Sequence, residues 1–302
     1  MDAKRIVLLV TLASGIGNGF GRFTFPALLP AMKRDVLGSY SAAGFIGTAN
    51  VGAYLLGALL VMVVSLRRPP HQILIAGLAC STAAMFVLAT SRSLAQLSVG
   101  MTLAGVGGAS IFIPSPGIVG AVVPAHRRGL IVGVVNAGIG AATVVGTQLA
   151  RFSPGWWGPH GWRWVWAILG VLSLAVLVPV ATTLRPAEAR AIAAPRLAAL
   201  REAPGWLPYT GAYFLFGFGY IIVITYTVAS LREEGGFGVA HAANVYAALA
   251  VGIAAGGVVL GQLSDRVGRR SAMLIGYVGT ALCPLAMLAP REPLASVAAV
   301  AF

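Results

Sequence analysis

Uninterrupted apolar runs of about 20 residues recur along the whole chain, and they limit its fold more than any other feature. A helix of that length crosses a hydrocarbon core about 30 Å thick, because each residue adds about 1.5 Å. Of the 302 residues, 58% are hydrophobic and only 10% are charged, against about 25% charged in soluble domains. The sequence therefore predicts an all-α polytopic membrane protein and excludes a soluble enzyme or a single anchor on a soluble domain.

Nine complete spans are placed and numbered in chain order, and a tenth begins near Leu294. The predicted spans are residues 6–30, 42–66, 73–90, 94–122, 130–150, 165–183, 207–230, 243–263 and 272–289. The longest connection, residues 184–206, divides an N-terminal bundle of six spans (1–183) from a partial C-terminal bundle (207–302). Residues 38–60 and 238–260 share seven identities in 23 aligned positions, which favours a parallel repeat with both halves in one orientation.

The basic charge of the chain is distributed as expected for membrane topology. The 21 Lys and Arg against 8 Asp and Glu give a net charge of +13, but the basic residues stand in ones and twos between apolar runs. A nucleic-acid surface would need a basic stretch interleaved with aromatics, so no nucleic-acid partner is expected. With the N-terminus inside, thirteen basic residues lie in cytoplasmic segments and seven on the other side, which favours a cytoplasmic N-terminus.

A motif between spans 8 and 9 carries a resemblance to a known family. Its sequence is Gly261-Gln-Leu-Ser-Asp265-Arg266-Val-Gly268-Arg269-Arg270, which resembles the loop signature of the major facilitator superfamily. The first span, with Gly-Phe-Gly-Arg-Phe at 19–23 and Pro-Ala-Leu-Leu-Pro at 26–30, is similar to the bacterial YbfB/YjiJ-type branch of that superfamily.

The resemblance implies a secondary transporter in the bacterial inner membrane that moves a small solute by alternating access, often coupled to protons. The family pattern has twelve spans in two six-helix bundles, so the nine to ten predicted spans lead us to expect a truncated chain. A non-transporting, truncated membrane protein is the alternative. No residue cluster has metal-ligand spacing and no phosphate-binding loop is present, so neither enzyme activity nor a metal, cofactor or obligate protein partner is expected.

Arg22 is the one strongly ionised residue well inside a predicted span. On an ideal helical wheel it shares a face with Thr11, Gly15 and Asn18. A charge in a span usually faces the bundle interior or a watery cavity, because its desolvation costs several kcal/mol. We therefore expect Arg22 to serve substrate binding or gating, and its positive charge would favour an anionic or carboxylated solute. The alternative is a side chain that extends to the headgroups.

Polar side chains on spans 5 and 7 complete the candidate substrate-binding set. Tyr213 and Tyr220 lie on one face of span 7, which in the resembling fold opposes span 1 across a central cavity. Asn136 and Thr143 share a face of span 5. Ordinary interhelical hydrogen bonding is the alternative for the two tyrosines, and a packing role is the alternative for Asn136 and Thr143. The candidate set is Asn18, Arg22, Asn136, Thr143, Tyr213 and Tyr220.

The motif residues form a second candidate set, with a role in gating. Gly261 would allow two helices to approach closely, and Asp265 would accept hydrogen bonds at the N-terminus of a neighbouring helix. Contacts of this kind favour one of two rocking states of a transporter. The alternative is that the arginines only fix topology. The candidate gate residues are Gly261, Asp265, Arg266, Gly268, Arg269 and Arg270.

Tryptophans and carboxylates both favour positions near the ends of the spans. Five of the six tryptophans lie between residues 156 and 166, which indicates an interfacial anchor at the start of span 6. All eight carboxylates lie at chain or span ends or in connections, so no intramembrane Asp/Glu proton relay is expected.

Overall fold

A computed structural model describes residues 2–184 and 205–286, and within these ranges all regular structure is helical. The predicted central connection lies mostly outside the described residues, as do the end of span 9 and the tenth span. Span 1 is a continuous rod made of Ala3–Ser14, Gly15–Phe23, Phe25–Met32 and Lys33–Leu37, of which the second and fourth pieces are π-helical. The other spans, in order, are Tyr40–Val64, Pro70–Thr90, Leu94–Phe112 with Ser115–Val122, Arg128–Trp157, Gly161–Thr183, Trp206–Glu233, Val239–Val267 and Arg269–Ala286.

These helices agree with the predicted spans in number and order. Seven helical ranges within the described chain are long and apolar enough to cross a membrane, and one of them, Ala125–Thr183, contains both span 5 and span 6. Span 9 is not among the seven. Span 4 contains a break, since its helix stops at Phe112 and resumes at Ser115 around Pro114.

Span 1 is the most deeply buried of these ranges, with 72% of its most apolar window inside the protein. Its glycines pack alternately against span 5 and span 4. A Cβ added at Gly15 would lie 2.7 Å from the Gly138 carbonyl oxygen of span 5, and one at Gly17 would lie 2.7 Å from Ile111 of span 4. Close helix packing therefore explains this glycine-rich sequence.

The ideal wheel misplaces part of span 1. Gly15–Phe23 is π-helical, so each turn holds more residues than the 3.6 that the wheel assumes. Pro26 follows directly and lacks the N–H that would bond back to Arg22 in an α-helix. Gly15 packs on span 5, and Thr11 donates its hydroxyl hydrogen to its own helix at Val7 O, 2.8 Å away. The predicted polar face around Arg22 thus does not extend to these two residues.

The tryptophans at the start of span 6 divide into two groups. Trp156 and Trp164 are 59% and 58% exposed, as expected for an interfacial position, whereas Trp162 and Trp166 are fully buried. The interpretation of all five as an interfacial anchor is therefore wrong for these two. Their rings fill the core where span 6 packs against its neighbours.

Spans 5 and 8 make the tightest contact between the first six spans and the later ones. Gly129 and Gly133 of span 5 face Gly261 and Gly257 of span 8, and a Cβ added at Gly261 would lie 2.5 Å from the Gly129 carbonyl oxygen. Spans 7 and 8 run in opposite directions, so Glu233 and Asp265 lie at opposite ends of the helices. We call these ends the Glu233 side and the Asp265 side.

Candidate functional site

Arg22 lies among aromatic rings from three spans. Its guanidinium carbon is 5.1 Å from the ring centroid of Tyr54 in span 2, 5.9 Å from that of Tyr220 in span 7 and 5.7 Å from that of its neighbour Phe23. Each distance is within the roughly 6 Å range of cation–π attraction. The side chain is partly exposed. The structure therefore brings Arg22 and Tyr220 together, as the opposition of spans 1 and 7 implied.

No carboxylate neutralises Arg22 among residues 2–184 and 205–286. The ion pairs in this part of the chain join Lys33 to Glu233 and Asp35 to His160 and Arg163. The buried Nε of Arg22 has no hydrogen-bond partner there, and neither has Nδ2 of Asn18, a residue that is only 4% exposed. Buried polar groups are nearly always paired, and among the unpaired buried groups of the described residues Arg22 Nε is the one that belongs to a charged side chain.

A row of aromatic side chains extends from Arg22 toward the Asp265 side. Phe216 stacks on Tyr220 with centroids 5.3 Å apart, and it lies 5.6 Å from Tyr277 of span 9 and 6.2 Å from Tyr213. The buried hydroxyl of Tyr277 has no hydrogen-bond partner among the described residues. We call Tyr213, Phe216, Tyr220 and Tyr277 the aromatic wall.

Three candidates from the sequence lie elsewhere or at the edge of this site. Thr143 is 1% exposed and donates to Ile139 O of its own helix at 2.8 Å, so its hydroxyl is already used. Asn136 packs beside Gly257, where an added Cβ would lie 3.3 Å from the Asn136 Cβ. Tyr213 belongs to the aromatic wall but is 64% exposed.

Sequence reasoning missed three aromatic residues of the site. Phe216 stands four residues before Tyr220, a spacing that places both on one helix face, so this signal was available. Tyr54 and Tyr277 approach from spans 2 and 9. Their positions depend on how the helices are arranged, and the pattern of a single helix carries no such information.

Asp265 joins spans 5 and 8 on the Asp265 side. Its two carboxylate oxygens accept hydrogen bonds from the backbone N–H groups of Gly129 and Leu130, at 3.1 and 2.9 Å. Both N–H groups belong to the first turn of span 5, where unpaired backbone donors attract negative charge. Gly129 has no Cβ, and one added there would collide with the Asp265 carboxylate.

The other motif residues have simpler surroundings. Gly268 adopts φ = +85° and separates span 8 from span 9, a conformation that favours glycine. The three motif arginines are exposed, and in the described ranges no ion pair joins any of them to a carboxylate. These arginines are Arg266, Arg269 and Arg270.

The Glu233 side has contacts of its own between the two groups of spans. Glu233 of span 7 accepts hydrogen bonds from Lys33 Nζ, 3.3 Å away, and from the hydroxyl of Tyr40. Tyr246 of span 8 is fully buried and donates its hydroxyl hydrogen to Phe23 O at 2.9 Å.

A cavity of about 490 Å³ also lies on the Glu233 side, lined in part by Arg34, Asp35 and His160. Asp35 accepts hydrogen bonds from Trp162 Nε1 at 2.8 Å and from Arg163, so its carboxylate already has partners. We favour Arg22 as the site, because its donors have none among the described residues.

Comparison with known proteins assigns this chain to a family. The model of the family described as "Uncharacterised MFS-type transporter YbfB" matches residues 14–302. The chain belongs to this YbfB-type family of the major facilitator superfamily. YbfB-type membership makes it a multi-pass membrane protein of a secondary-transporter superfamily.

Relatives and a solved structure agree with the YbfB-type assignment. The chain is 27% identical to the putative uncharacterized transporter YgaY of Escherichia coli K12 over 170 residues, which are 55% of this chain and 41% of YgaY. It is 23% identical to a gallate transporter of Pseudomonas putida over 318 residues, covering 92% of this chain and 68% of that one. The MFS proton:xylose symporter XylE matches with a TM-score of 0.77 at 18% identity, over 99% of this chain and 78% of XylE. The chain thus spans about two fifths of YgaY and about two thirds of the gallate transporter.

Proposed function

We propose that this chain serves the transport of a small organic anion by alternating access, with Arg22 as the residue that binds the negative charge. The observation that carries the proposal is the Arg22 guanidinium, which lies between spans 1, 2 and 7 without a carboxylate partner in the described chain. The proposal includes a bacterial inner membrane and a cytoplasmic N-terminus, which the distribution of basic residues supports.

A solute carboxylate would supply the partner that Arg22 lacks. Placing a charge inside a membrane protein is costly unless it is paired or hydrated. The planar guanidinium binds a carboxylate through parallel hydrogen bonds, and an Arg22 held against the rings of Tyr54 and Tyr220 is already oriented for binding. One relative is named a gallate transporter, and gallate is an organic anion. This name supports the same class of solute.

Contacts on the two sides of the protein supply the gates that alternating access requires. Asp265 holds spans 5 and 8 together on one side, which is cytoplasmic in the proposed orientation. Glu233 holds spans 1, 2 and 7 together on the other. Breaking one set of contacts while keeping the other would open Arg22 to a single side of the membrane. Coupling to protons belongs to the proposal as well, supported by the similarity of this fold to the proton:xylose symporter XylE.

Ligand-induced thermal stabilisation tests the role of Arg22. The purified 302-residue chain in detergent is heated with gallate, benzoate, succinate or lactate, and separately with the corresponding uncharged amides. A ligand that binds the folded state raises the melting temperature. We expect at least one carboxylate, and none of the amides, to stabilise the unmodified chain.

Two variants separate the site from general effects. Arg22→Gln removes the charge at the site and should abolish the stabilisation. Arg92→Gln removes an exposed arginine between spans 3 and 4 and should leave the stabilisation by the carboxylate unchanged. The proposal would be contradicted if none of the four carboxylates stabilised the unmodified chain. It would also be contradicted if a carboxylate stabilised the Arg22→Gln variant equally.

A further inference from the structure

We infer that the anion bound at Arg22 is an aromatic carboxylate, whose ring packs against the aromatic wall while its carboxylate pairs with the guanidinium. The inference rests on the proposed function and narrows its substrate class. Its first support is that the aromatic wall is continuous with the charged side chain of Arg22. Tyr220 contacts both Arg22 and Phe216, so the cation and the row of rings share one side chain.

The wall has accessible ring surface. Tyr220, Phe216 and Tyr277 are each partly exposed, in contrast to Tyr246, whose ring is fully buried between spans 1 and 8. Partly exposed rings next to a cation suit a ligand with a charged end and a flat apolar end. Offset or tilted ring pairs with centroids 4.5–7 Å apart are favourable beyond the area that they bury.

The length of the wall matches a ligand of one ring. Phe216 precedes Tyr220 by four residues, which is about one helical turn or roughly 5.4 Å along span 7. A carboxylate at Arg22 therefore places a directly attached ring beside Tyr220 and Phe216. Tyr277 adds a hydroxyl that has no partner among the described residues, and this hydroxyl suits a polar substituent on the ring.

Affinities for two acids of equal charge and similar size test the inference. Benzoate and cyclohexanecarboxylate differ in that only the first has a flat π-system. Their dissociation constants for the purified 302-residue chain are measured by isothermal titration calorimetry. We expect benzoate to bind about tenfold more tightly, as one to two favourable ring pairs would give.

Two leucine variants show whether the aromatic wall causes the preference. Phe216→Leu should lower the ratio of the two affinities about threefold, because one ring pair is lost while Tyr220 remains. Cyclohexanecarboxylate should still bind, which also shows that the variant is folded. Phe45→Leu changes a phenylalanine of span 2 that is 62% exposed, and it should leave the ratio unchanged.

The outcomes distinguish this inference from the proposed function. Equal affinities for the two acids, or a benzoate preference that is undiminished in Phe216→Leu, would overturn the aromatic inference and leave Arg22 as an anion site. Binding of neither acid would overturn the aromatic inference, and the wall would then serve only to pack span 7 against span 9. The anion site itself is then tested by succinate and lactate, the two non-aromatic acids of the thermal-stabilisation experiment.

Discussion

Asp265 connects two helices through a single carboxylate, and each oxygen accepts one backbone hydrogen bond from the start of span 5. Asp265→Asn replaces one acceptor oxygen with an NH₂ group, which leaves one of the two N–H groups without a partner. We expect transport to fall severalfold while the amount of protein in the membrane is unchanged. Uptake assays and immunoblots of the same membranes measure the two quantities.

A second carboxylate provides the control for this change. Asp2 accepts a hydrogen bond from Lys4 N within its own helix, so Asp2→Asn should leave uptake close to that of the unmodified chain. Unchanged uptake by the Asp265→Asn variant would show that the carboxylate has no part in gating.

Residue types alone predict Arg22 and Asp265 as candidate site residues but not their surroundings. Arg22 is a candidate because a charge inside a span is costly, and Asp265 because it stands in a specific motif. The rings of Tyr54 and Tyr277 were not found, since both come from other helices. The interfacial position predicted for Trp162 and Trp166 is wrong, since both rings are fully buried in the hydrophobic core.

At the scale of elements, the π-helical piece of span 1 shows how far periodicity can be used. The position of the span followed from its apolar composition, although the helix extends over Ala3–Leu37 rather than residues 6–30. The face that each residue occupies did not follow, because Gly15–Phe23 departs from the 3.6-residue period. The clue in the sequence was Pro26, which removes a backbone donor just beyond the glycine-rich segment.

The contact between spans 5 and 8 depends on glycines spaced four residues apart on both helices. Gly129 and Gly133 face Gly261 and Gly257, a pattern that allows close approach of membrane helices and that sequence reasoning recognised only at Gly261. Gly133→Ala adds a Cβ that collides with the Gly257 carbonyl oxygen. Because overpacking costs about 1–3 kcal/mol, we expect the melting temperature in detergent to fall by about 3–10 °C.

Gly52→Ala is the matched control for this substitution. An added Cβ at Gly52 has no neighbour within 4 Å, and alanine favours the helix over glycine. The melting temperature of this variant should stay the same or rise slightly. A Gly133→Ala variant as stable as Gly52→Ala would show that the two helices do not need to approach so closely.

The ends of spans 1, 2 and 7 meet at Glu233, which contacts both Lys33 and Tyr40. Glu233→Gln removes the charge that holds these ends together, so we expect the Glu233 side to open more often. The readout is the rate at which an impermeant maleimide labels Val245→Cys, a buried position beside Tyr246, after Cys80 and Cys283 are replaced by serine. The expected increase is about two- to fivefold.

The adjacent glutamate tests whether position matters more than charge. Glu234 accepts a hydrogen bond from Ser230 of its own helix, 2.7 Å away, so Glu234→Gln should leave the labelling rate unchanged. An equal increase for both variants would mean that net charge, rather than the contact with Lys33 and Tyr40, controls access.

At the scale of the whole molecule, the order of the first nine spans, as far as residues 2–184 and 205–286 describe them, could be predicted from apolar length alone. The family followed from one loop motif and the first span, and the family model confirms it. The pairing of span 5 with span 8 and the meeting of spans 1, 2 and 7 around Arg22 could not be predicted. Such contacts depend on helix neighbours that are distant in sequence, and no local pattern encodes them.

Uptake by reconstituted protein tests the central claim most directly. Proteoliposomes containing the 302-residue chain, Arg22→Lys, Arg22→Gln or Arg92→Gln receive a labelled carboxylate, the one that stabilises the unmodified chain most. We expect saturable uptake by the unmodified chain and Arg92→Gln, weaker uptake by Arg22→Lys because lysine lacks the planar fork, and at least about tenfold less by Arg22→Gln. Uptake by Arg22→Gln at the rate of the unmodified chain would contradict the claim that Arg22 binds the transported anion.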